Sequence, residues 1–131
     1  MSEILYTVLM IEDNQDVLEL NVKVLARKGI GAITANTLAK ARMLLNAHYD
    51  LVLLDIELPD GSGLDFIREI RAVSAAPILM LTGIRENEHT VAGLPGGGDG
   101  YLTKPYNIDE MYTRIVALVR RTGFPFSKVN F

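Results

Sequence analysis

Five side chains that could do metal or phosphorus chemistry each stand at the end of a short apolar run. Glu12 and Asp13 follow Leu5–Ile11, Asp55 closes the run that starts at Leu51, Thr82 closes the run that starts at Pro77, and Lys104-Pro105 follow Gly100–Thr103. If these ends meet, three carboxylates, a hydroxyl and an ammonium share a small space. Carboxylates that close repel, so one must take a proton or a cation must neutralise them. Oxygen ligands without Cys or a His pair favour magnesium, which takes one or two carboxylates and keeps several waters. An Asp beside such an ion and a lysine is placed to attack a phosphorus centre. Metal and ammonium would stabilise the transferred phosphoryl group, and Thr82 could donate a hydrogen bond to it.

Each of these residues also has an ordinary role when taken alone. Asp13 and Thr82 read as helix caps, Glu12 as a solvated charge, and Lys104 as a surface lysine beside a turn proline. Asp55, after four apolar residues and before Ile56, fits such a role less easily. The joint placement is what carries the chemistry.

The elements that must position them alternate regularly. The apolar runs Leu5–Ile11, Ile30–Ala35, Leu51–Asp55, Pro77–Thr82 and Gly100–Thr103 are short, mostly rich in Val, Ile and Leu, and bounded by Gly, Pro or Asp, so they read as strands. Amphipathic stretches separate them. Asn14 can cap a helix with Val17, Leu20, Val24 and Leu25 on one face, stopped by Gly29. Thr37 opens a second with Leu38, Ala41, Leu44 and Leu45 inward. Ser62 with Asp65 resembles a capping box before Phe66, Ile67 and Ile70, and Asn107 with Glu110 another before Met111, Ile115, Leu118 and Val119. Between them Glu86–Leu94 predicts a short helix, ended by Gly93, Pro95 and Gly96-Gly97-Gly98. Five βα units with continuous apolar strands predict an α/β fold: a flavodoxin-like (βα)5 doubly wound parallel sheet of strand order 2-1-3-4-5. Ligands of such sheets bind beyond the carboxyl ends of the strands, where the five side chains stand.

Composition narrows the function. The chain has 131 residues, 49% hydrophobic and 22% charged, an ordinary globular profile for one domain. No run approaches the ~20 apolar residues of a membrane span, and Met1-Ser2-Glu3 lacks a basic start for a secretory signal. The expected location is therefore the cytoplasm. Zero cysteines exclude disulfides and thiolate chemistry, and a net charge of −3 makes this segment a poor grip for nucleic acid.

Three segments together carry a family resemblance: Val8-Leu9-Met10-Ile11-Glu12-Asp13, Asp50–Asp55 continuing through Leu58-Pro59-Asp60-Gly61-Ser62-Gly63-Leu64, and Asp99-Gly100-Tyr101-Leu102-Thr103-Lys104-Pro105-Tyr106. Over roughly residues 5–121 the chain resembles the receiver domain of bacterial two-component response regulators. The resemblance implies that Asp55 is the phosphoacceptor, charged from the phosphohistidine of a sensor histidine kinase. Asp13 would bind Mg2+ directly, Glu12 through water, and Asp55 and the backbone carbonyl of Glu57 would complete the protein's ligands. Lys104 would pair with the phosphoryl oxygens and precede a cis bond to Pro105. Thr82 and Tyr101 would form the switch pair, the hydroxyl moving toward the phosphoryl group and the ring turning inward behind it.

The last helix, ending Ile115-Val116-Ala117-Leu118-Val119-Arg120-Arg121, is similar to receivers of the OmpR/PhoB type, which precede a winged-helix DNA-binding domain. The expected organisation is a receiver over 1–121 and, over 122–131, a linker and the start of a missing output domain, through which alone DNA would be bound. The family's homodimer face, made by the fourth helical stretch, the fifth strand and the last helix, is altered here. Gly100 stands where a second Asp is usual, Arg114 keeps one partner, and Pro95 with the triple glycine disturbs the same surface. Two other readings stand beside this one. One is a stand-alone receiver acting by protein–protein binding. The other is a haloacid-dehalogenase-like phosphatase, which usually has a second Asp where this chain has Glu57. On the leading reading the chain is no enzyme of multiple turnover, beyond self-phosphorylation from small donors and self-dephosphorylation.

His48 and His89 lack partners at metal spacing and read as structural, and Met10, Met43, Met80 and Met111 as core. Glu57 and Ile84, two residues after Asp55 and Thr82, flank the path of water to an acyl phosphate. Ile84 either merely packs a loop or slows spontaneous dephosphorylation by excluding that water, and the second role is the one expected to be testable. Ile84→Asn should then shorten the lifetime of the phosphorylated chain, followed by phosphate release; an unchanged decay would refute the idea.

Overall fold

The computed structural model describes residues 5–83 and 99–121. The expected fourth helical stretch, Ile84, His89, the triple glycine and the stretch 122–131 lie outside the described residues. A central parallel sheet is formed by β1 (Tyr6–Ile11), β2 (Ile30–Ala35), β3 (Leu51–Asp55), β6 (Ile78–Thr82) and β7 (Gly100–Thr103). A two-residue antiparallel hairpin, β4 (Glu57–Leu58) and β5 (Gly61–Ser62), follows β3 directly. The helices are α1 (Gln15–Arg27), α2 (Leu38–Leu44), α3 (Gly63–Val73) and, as the fourth described helix, α4 (Ile108–Arg121). The order β2-β1-β3-β6-β7 is the anticipated 2-1-3-4-5 once the hairpin is set aside.

Side chains alternate along each strand, so an unbroken apolar strand supplies two cores. Val8 and Met10 of β1, Leu51 and Leu53 of β3, and Leu79 and Leu81 of β6 pack with Leu18 and Leu25 of α1 and Met111, Ile115 and Val119 of α4. Leu9, Ile11, Val52, Leu54, Ile78 and Met80 pack on the other face with Leu38 and Ala41 of α2 and Phe66, Ile67 and Ile70 of α3.

The caps follow the sequence closely. Asn14, Thr37 and Asn107 accept hydrogen bonds from the amides of Val17, Lys40 and Glu110. Ser62 accepts from Leu64 N rather than from Asp65, so it caps α3 one position earlier than a capping box would. Gly29, at φ 83°, turns the chain out of α1.

Two expectations are corrected. The inward face of α1 is Leu18, Asn21 and Leu25, with Val22 packed against it, while Leu20 is 54% exposed. The face is rotated because Asn21, a polar residue, takes a core position by hydrogen-bonding to the Tyr106 hydroxyl at 3.0 Å. Met43 is 83% exposed on α2, not core, because Ala41 and Leu45 fill the inward positions on either side.

Phe66 is the largest of the fully buried side chains. Phe66→Ala is expected to cost about 3–5 kcal/mol of stability, read as a lowered urea midpoint at unchanged slope.

Candidate functional site

Strand parity decides which side chains meet. Glu12, Asp55 and Lys104 continue the alternation of Val8 and Met10, of Leu51 and Leu53, and of Leu102, so they rise on the face covered by α1 and α4. Thr82 continues Ile78 and Met80 toward the α2/α3 face, where Tyr101 also packs. Pairing fixes the heights: Asp55 lies opposite Leu81, Met80 opposite Tyr101, and Thr82 opposite Thr103. Thr82 therefore sits two residues beyond the level of Tyr101, toward the carboxyl end.

The carboxylates of Glu12, Asp13 and Asp55 offer ligand atoms all within 4.8 Å of one another. Asp55 is fully buried and Glu12 nearly so, at 2% exposure, while Asp13 faces solvent. The Asp55 carboxylate is held at both oxygens. Oδ1 accepts the Glu57 amide at 2.9 Å and Oδ2 the Lys104 ammonium at 2.8 Å. Lys104 reaches Glu12 Oε1 only at 4.0 Å. Its backbone is fixed separately, since its amide donates to the Thr82 carbonyl and its bond to Pro105 is cis.

This balance leaves negative charge in excess. Burial above all, then the charge of Asp55, pushes the Glu12 carboxyl up to about 7, against the opposing hydrogen bond from the Asn14 amide. Burial pulls on Lys104 in the lowering direction, but its hydrogen bond and charge contacts to Asp55 and the charge of Glu12 outweigh it and hold the ammonium above its ordinary value. Among the described residues, Glu12 Oε1 is buried without a hydrogen-bond partner. A buried, orphaned carboxylate oxygen beside two further carboxylates, with no thiolate or imidazole among them, fits a hard divalent cation. Glu12, Asp13 and Asp55 could thus hold a metal ion.

The backbone after Asp55 must pass close to it. A Cβ on Gly63 would collide with the Asp55 carbonyl oxygen and with Ile56 Cα, which is why α3 can begin only with glycine here. Beside the cluster a groove of about 600 Å3 runs between α1 and the segment after β7, with Val17, Leu20, Tyr106 and Ile108 in its walls.

All five of the side chains singled out in the sequence thus stand at the carboxyl edge of the sheet, with Glu57 and Tyr101 adjoining them. Arg114 is engaged within the chain, donating to the Tyr101 carbonyl at 2.9 Å and pairing with Glu110 at 3.7 Å. His48 is exposed. Sequence reasoning missed Asn21, Tyr106 and Asp60. Asn21 is signalled by its place between Leu18 and Leu25 at core spacing; Asp60 reads only as part of a Pro-Asp-Gly turn.

The chain is similar to known proteins along most of its length. Residues 8–116 match the response regulator receiver domain family. A transcriptional regulatory protein CpxR homolog of Haemophilus influenzae is 38% identical over 122 residues, 93% of this chain and 54% of that protein. The KDP operon transcriptional regulatory protein KdpE of Escherichia coli is 38% identical over 117 residues, 87% and 51%. The chain spans about half the length of the curated relatives it matches. A crystal structure of a two-component response regulator from Clostridium difficile superposes with a TM-score of 0.82 at 33% identity, covering 89% of this chain and 98% of that one. No described helix is long and apolar enough to cross a membrane.

A carboxyl whose folded value is raised contributes stability below its unfolded value of 4.5, and that contribution is lost as pH climbs through about 7. With divalent cations chelated, Glu12→Gln is therefore expected to melt a few degrees above the wild type at pH 8. The gap should close as pH falls to 4.5, as read by thermal melts.

Proposed function

Since the chain belongs to the family of response regulator receiver domains, we propose that Asp55 is its phosphoacceptor and that a sensor histidine kinase supplies the phosphoryl group. The observation that carries this reading is the Asp55 carboxylate itself: buried at the end of β3, ion-paired to Lys104 at 2.8 Å and clustered with Glu12 and Asp13. Such a carboxylate is oriented before any donor arrives.

In the proposed transfer an Asp55 carboxylate oxygen attacks phosphorus, and the bond from phosphorus to the kinase's histidine nitrogen breaks. The electron pair of that bond stays on the imidazole, and Asp55 becomes an acyl phosphate. Lys104 shifts its ammonium from the carboxylate to the phosphoryl oxygens without giving up a proton. Glu12, Asp13, Asp55 and the Glu57 carbonyl would hold Mg2+, which supplies positive charge against the phosphoryl oxygens when bound. The Thr82 hydroxyl closes on the phosphoryl group from the α2/α3 face, and Tyr101 follows into the space behind it. Nothing in this scheme regenerates Asp55 rapidly, so the chain acts as an acceptor and switch rather than as a phosphatase of multiple turnover. The relatives named as transcriptional regulators support an output in transcription; on this reading it runs through a DNA-binding domain beyond residue 121, and the chain works in the cytoplasm.

Acetyl phosphate with magnesium should add one phosphoryl group to the chain by intact mass. The adduct is expected to vanish in Asp55→Asn and without magnesium. An adduct that persists in Asp55→Asn would place the acceptor elsewhere.

A further inference from the structure

The hairpin that follows Asp55 is tied at its tip to a different helix. Pro59 and Asp60 make the two-residue connection between β4 and β5. The Asp60 carboxylate accepts the first two amides of α2, Leu38 N at 2.8 Å on Oδ1 and Ala39 N at 3.1 Å on Oδ2. These backbone hydrogen bonds, first that from Leu38, and the nearby Arg42 hold the Asp60 carboxyl below its usual range. Gly61 fits against Leu38 so closely that a Cβ would come within 2.9 Å of Leu38 Cδ1. At the base of the same hairpin the Glu57 amide donates to Asp55 Oδ1, and Ser62 caps α3. Arg42 of α2 in turn makes paired bonds of 2.6 and 2.8 Å to Glu69 of α3.

We propose that Asp60 is a positioning residue of the metal site: by clamping the hairpin tip to α2 it fixes where the Glu57 backbone stands relative to Asp55. The inference rests on the reading of Asp55, Asp13 and the Glu57 carbonyl as Mg2+ ligands. Moving the hairpin would strip two amides of α2 of their acceptor, and those amides have no partner within their own helix. The helix therefore resists displacement of the tip, and four residues of tight hairpin transmit that resistance to Glu57. Thr37 differs in kind: its side chain caps the same helix from within, accepting from Lys40 N in the first turn.

That difference supplies the control. Asp60→Ala and Thr37→Ala each remove capping from α2, so both should lower the melting temperature of the full chain. Asp60→Ala alone should weaken Mg2+ binding about tenfold, by calorimetric titration, and speed hydrogen exchange at the Glu57 amide. Asp60→Asn, which keeps one acceptor oxygen, should recover part of both. Equal Mg2+ affinity in wild type, Asp60→Ala and Thr37→Ala would overturn the positioning role while leaving the acceptor reading intact. Absence of Mg2+ binding in the wild type would overturn both.

Discussion

The structure depends on one electrostatic constraint: a carboxylate, Asp55, is carried to full burial at the end of a strand with, among the described residues, one ammonium paired to it. Lys104 satisfies one oxygen and the Glu57 amide the other, yet Glu12 is buried only 4.0 Å from the same ammonium. One cation cannot neutralise both acids. The surplus appears as a raised Glu12 and an oxygen with no hydrogen bond among the described residues. A buried charge so placed is costly for folding alone. Such an arrangement could hold a metal ion, and on the proposed reading a change of charge at Asp55 is the event the domain registers.

The rest of the fold serves to hold that arrangement still. Parallel pairing puts Asp55, Thr82 and the residues after β1 and β7 at one edge, and the alternation of the strands sends them to opposite faces. Close passages secure the local path, with Gly63 against the Asp55 carbonyl and the Lys104 amide on the Thr82 carbonyl. At the far end of the sheet, Asp99 accepts from Arg71 and from the Ile78 amide, fixing the entry to β6 away from the chemistry.

Much of this is legible in the sequence because it depends on periodicity. Apolar runs ended by charged or hydroxyl residues predict both the strands and the edge on which chemistry gathers, and Asn14, Thr37 and Asn107 cap the helices they precede. What could not be read depends on contacts between residues distant in sequence. Asn21 is polar, so a hydrophobic count turns α1 toward Leu20; only its bond to Tyr106, eighty-five positions away, makes it a core residue. Asp60 looks like turn chemistry until the amides of Leu38 and Ala39, on another helix, are seen to end on it.

The parity of the strand ends divides the site between two faces of the sheet. Asp55 and its acidic neighbours open toward α1 and α4, whereas Thr82 and Tyr101 belong to the α2/α3 side. The sheet thus stands between the two groups, which come together at its carboxyl rim. On the proposed reading, a substitution beneath α1 or α4 would reach Asp55 without touching the side of the sheet that carries Thr82 and Tyr101.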